Sequence, residues 1–150
     1  MANIVPNSFK ANLLKGVFNF DTSGNGGNEF KCALYTAITG YSASSTVYLS
    51  GTSNNEVSTS NTNYSTGGLA LNNLGVDGTS ATSFIDFGDL TFPSVTLTAR
   101  GAAIYKSTGS GNELVLVLDF GSNKTATNGD FVIQFPAGNS SNAIIRLGDA

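Results

Sequence analysis

Between residues 94 and 120 the chain reads SVTLTARGAAIYKSTGSGNELVLVLDF, two β-patterned runs around a glycine-rich turn. In the first run Val95, Leu97 and Ala99 alternate with Thr96, Thr98 and Arg100. That is the period of two expected of a strand with one wet face. The second run, residues 114–118, is apolar at every position, so both of its faces should be covered. The linker KSTGSGN supplies small polar residues and two glycines, which suit a turn. Gly101 inside the first strand predicts a bulge, and Pro136 closes the strand before it.

The same pattern recurs along the chain. Strands are expected over residues 17–20, 30–36, 46–49, 69–76, 84–92, 95–105, 114–120, 131–135 and 143–147. One short helix is expected after Pro6, with Ser8 as N-cap, Phe9, Leu13 and Leu14 at helical spacing, and Gly16 as the stop. Short strands separated by regular turn signals predict an all-β fold: a single-domain antiparallel β-sandwich, jelly-roll-like, spanning residues 1–150, with one N-terminal helix. Residues 42–66 read SASSTVYLSGTSNNEVSTSNTNYST and carry one charge, Glu56. They predict a long polar excursion with one short edge strand, which reads equally as a segment that contacts partners and as a solvated variable loop.

Composition sharpens this picture. A chain of 150 residues can bury roughly 68–70% of its unfolded surface, enough for a real core. Charged residues are 11%, against about 25% in ordinary domains. Ser, Thr, Asn and Gly together supply 69 of 150 positions, so the surface is polar without being charged. The net charge of −3, with seven scattered basic residues, offers no electrostatic footprint for nucleic acid. No apolar run approaches the ~20 residues of a membrane span, and MANIVPNSFK lacks the regions of a signal peptide. The expectation is a protein with no nucleic-acid or membrane partner, made in a cytoplasm. Cys32, the single cysteine, cannot form an internal disulfide and is expected to be a small buried hydrophobe.

Candidate chemistry is sparse. The absence of histidine removes the commonest general base, the Ser-His-Asp arrangement and most zinc sites. Asp86 and Asp89 in FIDFGDL are the nearest to a carboxylate pair, and solvent or turn roles account for them better than glycoside chemistry. DTSGNGGNE, residues 21–29, spaces Asp21, Ser23, Asn25 and Gly26 like a calcium loop, but Glu29 stands at position nine rather than twelve. A turn at Asn25-Gly26 is the expectation. Asp119-Phe120-Gly121 lacks every other kinase element. The N-x-[ST] matches at Asn63, Asn123 and Asn139 follow from composition. No catalytic, cofactor-binding or metal-binding residue is assigned, and no enzyme activity is expected.

FKCALYT, YSTGGLAL, LTARGAAIYKS, LVLVLDFG and FVIQFP, in that order, resemble a family of small virion proteins of tailed bacteriophages, notably those of aquatic bacteria and cyanobacteria. The resemblance runs from about Ser8 to Leu147. It implies a β-sandwich or jelly-roll subunit on the capsid surface of the virion, a decoration or cement protein. Its implied partners are the major capsid protein and further copies of itself, as a homotrimer. Residues 1–15 or the excursion at 42–66 would then reach neighbouring subunits. A carbohydrate-binding module of a head or tail fibre shares the same scaffold features and is the alternative.

Overall fold

The computed structural model describes residues 2–79 and 81–148. It is an all-β sandwich with one N-terminal helix. Helix α1 spans Asn7–Leu14, and the strands are β1 (Phe30–Tyr35), β2 (Leu69–Ala70), β3 (Asn73–Thr79), β4 (Thr82–Phe87), β5 (Leu90–Lys106), β6 (Leu114–Ile133) and β7 (Ile145–Gly148). A four-stranded sheet has the order β2-β1-β5-β6 and a three-stranded sheet the order β3-β4-β7. Every strand pair is antiparallel.

The long hairpin expected around the glycine-rich turn is the spine of the molecule. β5 and β6 pair from Leu90↔Ile133 to Tyr105↔Leu114, and β1 pairs with the other edge of β5 from Phe30↔Lys106 to Tyr35↔Gly101. Val95, Leu97 and Ala99 are buried while Thr96 is exposed and Thr98 half-buried, as the alternation requires. Residues 114–117 are all buried. A register shift between Ile104 and Tyr105 sends Val115 and Leu116 to the inter-sheet core while Leu114 and Val117 face the other side.

The four-stranded sheet therefore has two apolar faces. On the first, Phe30, Cys32 and Leu34 meet Ile85 and Phe87 of the second sheet in the main core. There Phe20 stacks on Phe30 with ring centroids 4.6 Å apart, and Phe30 meets Phe87 edge-on at 5.8 Å. On the second face, Ala33, Tyr35, Ala103, Tyr105, Leu114 and Val117 lie under Ile38, Tyr41, Tyr48 and Leu49. The cover over this face is the polar excursion itself.

Several expected elements change. Residues 17–20 are not a strand: Phe18 and Phe20 are buried, but Asn19 bonds to Asn28, N–H from each backbone reaching the other residue. Residues 46–49 form no strand, only the isolated bridge Val47↔Glu113. Residues 69–76 split into β2 and β3, and 84–92 into β4 and β5, because the chain changes sheets at both breaks. The Gly88 N–H donates to the Asn72 carbonyl, tying the two crossings together. Residues 114–120 and 131–135 merge into β6, and 143–147 begins pairing only at Ile145. Ser8 does not cap α1, whose N-cap is Pro6; its hydroxyl donates to the Ser45 carbonyl instead, 2.9 Å away. Gly16 does stop the helix, at φ +72°.

The bulge foreseen at Gly101 is large, and its extra residues lie on β6. Between Ala99↔Lys124 and Gly101↔Asp119, Arg100 alone opposes Phe120, Gly121, Ser122 and Asn123. Arg100 Nε donates to Asp119 Oδ1 at 3.0 Å across its base. A Cβ on residue 101 would lie 2.3 Å from the Leu118 carbonyl oxygen, so only glycine fits where the strands close again.

Leu116→Ala removes a side chain 4% exposed in the main core and should cost about 2–5 kcal/mol through lost transfer energy and cavity formation. Thr98→Ala loses an exposed hydroxyl contact to Thr125 and should cost under about 0.5 kcal/mol. Equal denaturant midpoints for the two variants would contradict this burial pattern.

Candidate functional site

Among the described residues Glu56, 2% exposed, is the one charged residue buried as a whole; the Asp119 side chain, also 2% exposed, is paired with Arg100. The position of Glu56 follows from the local chain. Gly51 at φ +83° leads into a 3-10 turn at Thr52–Asn54, which Asn55 ends in the left-handed region at φ +66°. The reversal lays residue 56 against Tyr35 in an isolated bridge, with the Val57 N–H donating to the Leu34 carbonyl at 2.9 Å.

Four donors meet the Glu56 carboxylate. Tyr48 Oη and the Gly51 N–H donate to Oε2 at 2.7 and 2.6 Å. Tyr64 Oη and the Gly67 N–H donate to Oε1 at 2.8 and 2.6 Å. A carboxylate has about four acceptor positions, so its capacity is filled. No lysine or arginine shares the site: the ion pairs of the described residues are Arg100 with Asp119 and Lys106 with Glu113. The charge is compensated by hydrogen bonds alone, the condition under which a carboxylate can be buried.

All five tyrosines of the chain belong to the surrounding network. Tyr41 Oη donates to Tyr35 Oη at 2.8 Å, and Tyr35 Oη donates onward to the Leu49 carbonyl at 2.6 Å. Tyr105 Oη donates to the Gly67 carbonyl at 2.8 Å while its ring stacks on Tyr48, centroids 4.3 Å apart. Tyr64 Oη also accepts from the Leu34 N–H. Burial raises the pKa of these phenols, Tyr105 to about 12, so they stay protonated donors. Gly68 lets the chain cross β1 in contact: a Cβ there would stand 1.8 Å from the Cys32 carbonyl oxygen. The excursion at residues 42–66, expected to reach outward, is thus fastened to the sheet, and Glu56 is its rivet.

The residues weighed in the sequence are dispersed. Asp89 Oδ1 accepts from the Phe135 N–H at 2.9 Å, whereas Asp86 lies in β4 with Oδ1 buried and without a hydrogen-bond partner. In residues 21–29, Asp21 Oδ1 accepts from the Thr22 N–H and from Asn25 Nδ2, and Gly26 stands at φ +81° as a turn residue. Among the described residues no three His, Cys, Asp or Glu side chains converge as metal ligands. Cys32 is fully buried, and burial pushes its thiol up to about 12. Asp119 is held by Arg100 and by the Gly121 N–H.

The accessible surface features lie elsewhere. A cleft of about 680 Å³ runs beside the second half of β6, with Phe120, Asp130, Val132, Gln134 and Asn142 in its walls. Two further clefts, about 1030 and 310 Å³, flank α1 and β7 and share Phe9, Leu13, Ile145 and Leu147 in their walls. They are lined chiefly by apolar side chains, among them Phe9, Leu13, Leu14, Ile145 and Leu147. Glu56 lines none of these clefts. Residues 2–15 are built into the body rather than free: Ile4 and Val117 exchange two backbone hydrogen bonds of 2.9 Å, and Phe9 is 3% exposed. No family model matches the chain, and neither a curated protein nor a solved structure matches it.

Glu56→Gln keeps the shape but turns an amide NH₂ toward two donors, and should cost about 2–4 kcal/mol. Stability within about 0.5 kcal/mol of the parent by denaturant unfolding would show that the four contacts carry no weight.

A second test uses the phenols. Burial raises their folded-state pKa above the ordinary 10.0, so unfolded tyrosines ionise first as pH rises. Their contribution to stability is whole below about pH 10 and is lost as pH climbs through and beyond that value. The denaturant midpoint should fall above about pH 10, with phenolate absorbance rising only as the chain unfolds. Phenolate formation at an unchanged midpoint would contradict the burial of these groups.

Proposed function

We propose that this chain is a structural, non-enzymatic virion protein: a decoration or cement protein that binds the outer surface of a phage head and reinforces contacts between major capsid subunits, working as a homotrimer. The observation that carries this reading is the apolar surface beside α1. Leu14 is 90% exposed, and Leu147, Val76 and Val5 are 59, 56 and 47% exposed around the same clefts. Exposed apolar residues gathered around shared clefts favour a surface that meets other protein. The interior supports the same reading, since the Glu56 carboxylate is spent on fastening the fold.

The face toward the capsid would be the outer side of the excursion, where Ser42, Ser44, Thr59, Ser60 and Asn61 are exposed. Uncharged polar residues lie against protein with little desolvation cost. Weak contacts repeated over a lattice then add by avidity. Residues 1–15 are unsuited to the role of a detachable arm, because removing them also removes Phe9 and the Ile4 pairing from the body.

A second reading is a carbohydrate-binding module of a head or tail fibre. It draws on the cleft beside β6, where Asp130, Gln134 and Asn142 stand near Phe120, a mixture suited to hydroxyl-rich ligands.

Cryo-microscopy of a particle containing the chain should place it on the outer head surface, and purified protein should co-sediment with expanded heads. Location at a fibre tip, with binding to a glycan array and none to heads, would overturn decoration in favour of the fibre module.

A further inference from the structure

The exposed apolar residues are unevenly distributed, and so are the charges beside them. Of the seven exposed large hydrophobics among the described residues, Val5, Leu14, Val76 and Leu147 border the clefts at α1 and β7. The charged residues lining those clefts are Lys10 and Arg146, and no carboxylate lines them among the described residues. This is a cationic apolar groove on a chain of net charge −3. Copies of such a chain carry the complementary sign elsewhere.

The complement lies on β6. Val132 is 54% exposed and lines the cleft together with Asp130, itself exposed. Of the other charges there, Asp119 is paired with Arg100, and Lys124 sits at the far, bulged end opposite Ala99. β6 is also an edge of its sheet: besides β5, its backbone bonds to Thr46 at Leu114, to Ile4 at Val117 and to Asn3 at Asp119, whereas Val132 pairs with β5 alone among the described residues. An uncovered edge is a surface that another chain can take.

We propose that these two surfaces meet between copies of the chain: the α1–β7 groove of one copy, bearing Lys10 and Arg146, receives the β6 edge of a second copy at Asp130 and Val132. The proposal rests on the assembly reading of the apolar surface above and names the occupant of the groove. Because different patches meet, the contact is head-to-tail, and such contacts close into rings or run on as filaments. A two-fold pair is the special case in which each groove takes the other copy's edge, and every other closing rotation gives a ring of three or more. Opposite charges at the rim would fix the register, and burial of Leu14 and Leu147 would supply most of the affinity.

Sedimentation velocity of the full chain, in low and high salt, tests this. The expected result is a closed oligomer that weakens with salt. Leu14→Asp, at a position 90% exposed, should leave the thermal unfolding transition unchanged and yield monomers. Lys10→Glu and Asp130→Lys should each weaken association about tenfold or more, and the double variant should return to within about threefold of the parent, because the swapped pair restores opposite charges. Asp130→Asn keeps the oxygen that accepts from the Ser94 N–H and separates loss of charge from loss of that bond. A monomeric parent at about 100 μM, or an oligomer unaffected by Leu14→Asp, overturns the proposal. So does absence of rescue in a folded double variant. A monomer that still binds heads would sink self-association while leaving capsid decoration standing.

Discussion

Glu56 is the constraint on which the rest of the structure depends. A four-stranded sheet with apolar side chains on both faces needs a cover for each, and the three-stranded sheet covers only one. The other cover is a stretch of some thirty residues between β1 and β2 with no regular strand or α-helix of its own, rich in Ser, Thr and Asn. Such a segment gains little from burial and loses much conformational freedom on ordering. One carboxylate accepting from Tyr48, Tyr64, Gly51 and Gly67 fixes both halves of it at one point. Tyr35, Tyr41 and Tyr105 then clamp it to the sheet below.

This arrangement also explains how a chain with so few charges keeps a specific fold. Around Glu56 the buried polar groups are satisfied as a closed set of donors to one acceptor, and a network of that kind specifies geometry more sharply than apolar contact alone. The half of the molecule around Glu56 is thereby covered and cross-bonded. The surface around β7 and the last turn of α1 is different. β7 is short and lies at the edge of the smaller sheet, and α1 buries Phe9 but leaves Leu14 in solvent. Apolar groups stay uncovered there because no further element of the described chain lies over them, which leaves that surface open to a partner.

The sequence by itself determined whatever depends on neighbouring residues. Alternation at residues 95–100 and the apolar run at 114–117 gave the two faces of the central hairpin, and the glycine-rich linker gave its turn. Gly16 and Gly26 were legible as chain reversals because a positive φ favours glycine. The all-β class followed from these same local periods. Even the burial of Cys32 could be read from its place between Phe30 and Leu34.

Tertiary structure decided the rest. Glu56 read as a lone charge in a solvated loop because its four partners lie five to eleven residues away in irregular chain, where no period reports direction. The strand breaks at residues 71–72 and 88–89 were hidden because each half still alternates, and only the choice of sheet separates them. Phe18 and Phe20 alternate like a strand yet pair with none, since their side chains enter the core while Asn28 satisfies the backbone between them. Likewise, the exposure of Leu14 and the nearness of α1 to β7 join positions more than a hundred residues apart. Local pattern can say that a residue is apolar; only the packed chain decides whether anything covers it.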